Sequence, residues 1–564
     1  SELIKNLHNK PVKERTQVFE TLIKGAPDTL NTLSDLLVKP GTGNDTAARF
    51  AIRNLSYHVM RPKAPDTERQ AAIKPLLELL TSQKDVEIKA FVIGEIQYIG
   101  RDEAVGPVSN FLLDARLGDP STQTLLAISK HAGREEILNA VRAALPEAKE
   151  TKATLIRALG ALRDRQAVEA LTAEVSNEDA GIRRMALYAL AAIADPASGD
   201  VLLKVTESEN VTDRQKATSW YLLYARRLAE DGNKDKAAEI CRRLYQARTG
   251  PVDGHVQSSA LITLHDILGE NAIDDLIAAL DSKSTYVRAA VSQRLARASG
   301  SSVSEKVGMK IDSPNREIRA EVLKILARRG EKSALVAVSK ALEDKDVSIR
   351  LQAIKTLARV LKEESLPKLL EIVTEGSGEE RKTAQSLLYR IPGDKVTNAI
   401  AEQFETVELP VARTAIIEVL QKRGARKHLD VLHTAAADKD KAVRAAAFKA
   451  LKTLAGPDQV PAMLELLLKT AATEQDALIQ AIVVASNTSN EETRIVPVLK
   501  ILPSSKGKDR IALLKLLSHI GGTKALEPVV ADLKSEDKAV LDAALRSLAD
   551  WPDMGAAPEL LKVI

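Results

Sequence analysis

The sequence predicts an all-α fold, a right-handed α-α superhelix of stacked helical hairpins. Three observations predict it: a fixed repeat period, a helical apolar pattern inside each period, and polar and glycine residues that mark helix ends. Arg288, Arg319, Arg350 and Arg381 stand 31 residues apart, and Leu295, Leu326, Leu357 and Leu388 each follow seven positions later. Equivalent positions at Arg15, Arg49, Lys89, Ser121, Lys152, Arg183, Arg214, Gln257, Arg413, Arg444, Asp476, Arg510 and Leu541 carry the period along the whole chain. That makes roughly 17 hairpins, so residues 1–564 are expected to form a single solenoid.

The second helix of each hairpin carries the anchor. Ile349, Ala353, Ile354, Leu357 and Leu361 recur at steps of three and four and so share one face. Four residues before the anchor stands a short polar residue in most units: Asp45, Asp85, Asp179, Asn210, Asp253, Ser284, Asn315, Asp346, Ser377, Asp440 and Asp537. Such side chains accept hydrogen bonds from the unpaired amides of a first helical turn. Gly100, Gly269, Gly300, Gly330, Gly424, Gly456 and Gly521 follow the helix and suit the left-handed conformation that ends one. The first helix is read from apolar-periodic runs such as "ESLPKLLEIVTEG" and "TKALEPVVADLKSED", with Pro367 and Pro528 placed near its start, where a missing amide is tolerated. One hairpin cannot bury its apolar face, whereas stacked hairpins share a continuous core.

A paired-helix unit whose second helix opens D-x-x-[VI]-R-x-x-A resembles the HEAT repeat. The matching residues include Asp179, Ile182 and Arg183; Asp346, Ile349 and Arg350; and Asp440, Val443 and Arg444. Its short period and alanine-rich second helices, as in "KAVRAAAFKALKTLAG", are similar to the bacterial HEAT-like subclass first named for phycobilisome lyases. The resemblance implies a ladder in which aspartates and arginines of successive units bond to one another. It implies no single function, because such solenoids carry many unrelated activities.

Composition narrows the function classes. The 81 basic and 77 acidic side chains leave a net charge of +4, without the strongly basic footprint of a nucleic-acid sheath. A lone cysteine, Cys241, excludes an internal disulfide and a cysteine-based zinc site. No apolar run is long enough to span a membrane. The chain starts at Ser1, which fits a processed export substrate or a trimmed chain, and an extracytoplasmic location is favoured. The apolar ending "APELLKVI" leads to the expectation that the protein continues beyond Ile564 or pairs through that end.

The search for catalytic chemistry is negative. HEAT-type deoxyhypusine hydroxylases need His-Glu dipeptides for iron, and none of the eight histidines is followed by glutamate. His428 and His433 are five apart, a poor spacing for one helical face to offer to a metal. "WPDM" at Trp551 resembles the acid loop of tyrosine phosphatases, but Ala247 stands six residues after Cys241 where their phosphate loop needs arginine, so a helix-ending turn with a buried tryptophan is expected. A HEAT-type DNA glycosylase would need a basic, aromatic-rich surface that 3% aromatic residues do not supply. No catalytic residue, cofactor or metal is expected.

Two intervals are long. Arg49 to Lys89 takes 40 residues, and 57–75 is read as an exposed loop insertion carrying Arg61 and Arg69. Arg214 to Gln257 takes 43, and 220–256 is read as a helical insertion, resembling a tetratricopeptide hairpin, that divides the N- and C-terminal halves of the array. Trp220, Tyr224, Arg226, Arg227, Arg242 and Arg243 lie there and are the expected partner-binding residues, on an exposed concave surface, since Trp, Tyr and Arg dominate protein interfaces. The expected function is a non-enzymatic scaffold that binds a protein partner along its concave face. The alternative is an enzyme-associated HEAT module, either part of a larger extracytoplasmic protein with a separate catalytic domain or a lyase-like chromophore chaperone.

Overall fold

The computed structural model describes residues 4–25, 28–82, 85–208, 211–248, 250, 253–300, 302–487 and 490–562. Helix follows helix with no strand among the described residues, so the fold is the all-α helical repeat that the sequence predicts. The chain packs as two compact units, Ser1–Leu276 with Ser282–Val291, and Ile277–Asp281 with Ser292–Ile564. Segment 220–256, expected to separate the halves of the array, lies inside the first unit.

A repeat of the second unit shows how sequence makes the element. The first helix, Leu335–Leu342, packs against the second, Val347–Leu361, which Asp346 opens by accepting from the Ser348 amide at 2.8 Å. Ile349, Ala353, Ile354 and Leu357 are buried, each large side chain worth about 1.5–3 kcal/mol of transfer free energy. Lys362 then turns the chain at φ 52° and Pro367 enters the next first helix, Leu366–Glu375, within its first turn.

Side-chain caps form at Asp85, Asp179, Asn315, Asp440 and Asp537, and Ser377 makes a reciprocal capping box with Glu380. Asp45 and Asp253 do not cap their helices: Asp45 turns to Arg49 and the Val38 amide, and Asp253 to the Gly250 amide. Asn210 lies outside the described residues. Gly269, Gly300, Gly330, Gly424 and Gly521 have positive φ as expected. Gly100 and Gly456 do not, with φ of −71° and −121°. Gly100 is needed for room instead, since a Cβ there would lie 2.8 Å from the Ile96 carbonyl oxygen. Pro528 also departs from expectation, because its helix starts earlier, at Thr523, and places it inside.

The anchor arginines bind the hairpins together. Arg319 Nη1 donates to the carbonyls of Ser313 and Pro314 at 2.9 and 3.3 Å, closing the turn of its own hairpin. Its Nε and Nη2 donate to both oxygens of Asp344, at 2.7 and 3.2 Å, in the turn of the next hairpin. Arg444 and Arg510 repeat the arrangement with both oxygens of Glu474 and Asp532, while Arg350 bonds to Glu380 through Nε and Arg413 forms an ion pair with Asp438. The ladder therefore runs to a carboxylate at the start of the following second helix or in the turn before it, while Asp346, Asp440 and Asp537 are occupied by capping. A second set, absent from the expected pattern, reaches helix ends about one repeat away: Arg329 donates to the carbonyls of Leu295, Ala298 and Gly300, and Arg423 to those of Leu388 and Gly393.

The expected loop 57–75 is mostly helix. Tyr57–Val59 complete the helix Thr46–Val59, and Asp66–Ser82 forms the next, leaving only 60–65 between them. Asp66 and Glu68 lie in that helix's first turn, where their charge meets the positive end of its dipole. Arg61 bonds to Glu68, and Arg69 is buried, donating to the Ile99 carbonyl at 2.9 Å and to Asp66 and Glu103. Both are structural joints.

Candidate functional site

The hairpin that holds the expected site residues consists of the helix Val211–Glu230, a turn and the helix Lys234–Ala247. Ala217, Tyr221, Tyr224, Ala225 and Leu228 recur at helical spacing on the longer helix and are all buried. This face packs against the helices Ala180–Ile193, Lys234–Ala247 and Gly254–Leu268.

Tyr224 is thereby removed from the expected binding surface. It is fully buried, stacked on Tyr221 with ring centres 6.0 Å apart, and its hydroxyl donates to the Pro196 carbonyl at 3.4 Å. Burial pushes its phenol up to about 12. Gly199 leaves the space for that hydroxyl, since a Cβ there would lie 3.2 Å from it. The physical reason is amphipathicity: the two tyrosines fall on the stripe that the neighbouring helices cover. Trp220 is half-buried.

The arginines take the opposite edge. Arg226, Arg242 and Arg243 are exposed and Arg227 half-buried. Arg226 donates to Thr263 Oγ1 at 3.1 Å, Arg227 to Glu230 at 2.7 Å, and Arg242 through Nε and Nη2 to both oxygens of Asp275, at 3.1 and 2.9 Å. Arg243 makes no hydrogen bond or ion pair among the described residues. The structure thus separates the arginines from the aromatic core and sends Arg226 and Arg242 toward Thr263 and Asp275 of later helices.

A second surface was not anticipated. On the helix Thr46–Val59, Arg49, Arg53, Tyr57 and, just beyond it, Met60 form a stripe at steps of three and four; on Val86–Ile99, Glu87, Phe91, Gly94 and Tyr98 form another. The two stripes meet. Tyr57 and Tyr98 touch edge to face at 5.2 Å and remain 51% and 44% exposed. The Arg49 guanidinium lies 4.7 Å from the Phe91 ring centre, and that of Arg53 lies 5.9 Å away.

Arg53 is held from below. Its Nε donates to Glu95 at 2.9 Å, and Glu95 has no exposed surface while the Arg53 side chain is half exposed. Neither Nη nitrogen of Arg53 takes up a hydrogen bond among the described residues. Burial pushes the Glu95 carboxyl above the usual range against the pull of Arg53. Gly94 adds an open dip: a Cβ there would meet nothing within 4 Å. Glycine in a helix interior costs about 1 kcal/mol relative to alanine, and packing does not explain it here. Gly160 is the contrast, because its Cβ would lie 2.7 Å from the Ala189 Cα. The signal for this surface was present in the sequence as Arg53, Tyr57, Phe91, Gly94 and Tyr98, but it spans two repeats and is visible only once the helices are paired.

Groups that could support catalysis are committed elsewhere. Cys241 is buried and its thiol is pushed up to about 12 by that burial. His428 and His433 bond to Asn398 and Gln459 at 2.9 and 3.1 Å. Trp551 is buried beside a turn in which Asp553 accepts from the Gly555 amide. No group of three or more metal-ligating side chains is assembled among the described residues, and no helix among them is long and apolar enough to cross a membrane.

Comparison with known proteins agrees with the repeat. A family model described as HEAT repeats matches residues 135–222, 307–388 and 398–483. No curated protein matches the sequence significantly. Among solved structures, yeast importin-beta (Kap95p) aligns with a TM-score of 0.38 and 12% identity, covering 99% of this chain and 88% of that chain. Importin beta crystallised in ammonium sulfate aligns at 0.34 and 13%, covering 100% and 89%. The karyopherin Kap121p bound to the SUMO protease Ulp1p aligns at 0.34 and 11%, covering 100% and 87%. TM-scores this low do not establish a common superhelical path.

Proposed function

We propose that the protein is a non-enzymatic scaffold that binds a protein partner along its concave face. The observation that carries the reading is the division of the 211–247 hairpin: Tyr221 and Tyr224 fill the core, while Arg226, Arg242 and Arg243 are exposed and Arg227 and Trp220 half-buried. Exposed arginines beside an apolar ring supply the charge and planar surface that dominate protein interfaces. Repeats whose anchors already bond across hairpins have little left to offer a partner, whereas Arg243 makes no bond among the described residues.

The test is cross-linking and capture from the native source, followed by affinity measurement with the partner obtained. Arg227→Ala and Arg243→Ala are expected to weaken binding by about 1 kcal/mol or more each, with the melting temperature nearly unchanged. Unchanged affinity in both variants would remove the hairpin edge from the interface, and failure to capture any protein would remove the scaffold reading itself.

A further inference from the structure

The surface between the helices Thr46–Val59 and Val86–Ile99 is separate from the arginines of the 211–247 hairpin. Its form points to one kind of ligand. Arg53 is fixed through Nε by the buried Glu95, so its two Nη nitrogens face outward as a preoriented fork. Such a fork matches the two oxygens of a carboxylate. The other charges on the two stripes are taken: Asp45 holds Arg49, and Arg116 holds Glu87 through two bonds of 2.8 Å. What is offered to solvent is therefore the pair of Arg53 Nη donors, which make no hydrogen bond among the described residues, and they call for an acceptor such as a carboxylate.

The rest of the face calls for an apolar chain next to that anion. Tyr57 and Tyr98 stand as an exposed aromatic ledge, Phe91 lies at the other end of the stripe, and Gly94 opens the floor between Phe91 and Tyr98. A missing side chain in a helix that does not need the room lets another backbone approach closely.

We propose that this face docks an acidic linear segment of a partner protein, with one Asp or Glu carboxylate forked on Arg53 and the adjoining apolar or proline residues lying over Gly94 against the Tyr57 and Tyr98 rings. The inference rests on the scaffold reading but places a contact on residues that reading does not use. The segment binds extended, because the dip is one residue wide and a helix would be held off by the tyrosines.

The experiment is selection of phage-displayed random nonapeptides on the immobilised full chain, followed by titration of the synthetic consensus peptide. An enriched consensus with an acidic residue next to aromatic, aliphatic or proline residues is expected. Arg53→Lys, which keeps a cation for Glu95 but removes the fork, and Gly94→Leu, which fills the dip, should each weaken the consensus peptide at least tenfold. Gly94→Ala should weaken it less while raising the melting temperature, an opposition that a purely structural role would not produce. The proposal is overturned by a basic consensus, by no consensus, or by binding that survives both Arg53→Lys and Gly94→Leu. It is equally overturned by concentration-dependent self-association that Tyr98→Ala abolishes, since a second copy would then be the occupant. A consensus lost in Arg243→Ala yet intact in Arg53→Lys would sink this inference and leave the scaffold reading standing.

Discussion

Arg319 and Arg53 are both held by carboxylates, yet one is a joint and the other an open hand. Arg319 is 5% exposed and spends its donors on two carbonyls of its own turn and both oxygens of Asp344. Arg53 spends only Nε, on a carboxylate with no exposed surface, and turns the rest outward. The residue type is the same, and what differs is how many donors the fold consumes. In the second unit Arg319, Arg444 and Arg510 are consumed in this way, and Arg350 and Arg413 are paired with Glu380 and Asp438, so the surface that carries them is structural. In the first unit the anchor column includes Lys89, Ser121, Lys152 and Gln257, and the ladder gives way to local solutions: Lys89 sits over the Phe111 ring and Lys152 pairs with Glu174.

The largest expected effect breaks the comparison on its structural side. Arg319→Ala leaves Asp344 half of a buried pair and uncaps two carbonyls, and should destabilise the second unit by about 3–5 kcal/mol in denaturant unfolding. Asp344→Ala should cost nearly as much, and the double variant much less than the sum, because the two share one interaction. Full additivity would mean that the arginine and the aspartate act separately.

The glycines sharpen the same contrast in the first unit. Gly160→Ala should cost about 1–3 kcal/mol, since its Cβ would lie 2.7 Å from the Ala189 Cα and packed helices resist such an insertion. Gly94→Ala should stabilise by roughly 1 kcal/mol, since nothing lies within 4 Å. Melting curves of the two variants must therefore shift in opposite directions.

Protonation separates the regions again. Ser377 and Arg350 hold the Glu380 carboxyl below the usual range, and Arg444 does the same for Glu474. Groups with depressed values favour the fold above their unfolded pKa and lose that contribution as pH falls through the folded value. Glu95 is raised, so it binds more protons folded than unfolded, and its contribution falls as pH rises through the interval above the ordinary carboxylate value of about 4.3. Hydrogen exchange at a series of acid pH values should show protection falling around the helices Val347–Leu361 and Lys441–Leu454 before the helix Val86–Ile99, and Glu95→Gln should make that last helix less sensitive to pH.

How much of this was legible depends on whether the signal was local. The N-cap at Asp346 and the apolar stripe of Ile349 to Leu361 lie within one helix and follow from its periodicity. The grip of Arg329 on the carbonyls of the preceding repeat was not legible, because a carbonyl leaves no trace in sequence. Tyr224 was misplaced for a related reason: aromatic content marks an interface and a core alike, and only the neighbouring helices decide which stripe is covered. Gly94 shows the converse, since a glycine inside a helix reads as a defect until the space above it is known to be empty.

The smallest effects test the arginine edge. Arg242→Ala removes a two-bond pair with Asp275, but the arginine side chain is 43% exposed, so the loss should be within about 1 kcal/mol. Arg226→Ala removes one hydrogen bond to Thr263, and about 0.5–1.5 kcal/mol is the expected range for such a bond. Arg243→Ala removes no bond among the described residues, and its stability change should fall within about 0.5 kcal/mol of zero. The order matters more than the sizes. If the edge is merely the outside of a structural joint, Arg243 should be the least important of the three for every property measured. If it is a binding edge, Arg243 should be the least important for stability and among the most important for affinity, because only an uncommitted arginine can give all its donors to a partner. Equal ranking of the three in both measurements would place the edge with the structural arginines of the second unit.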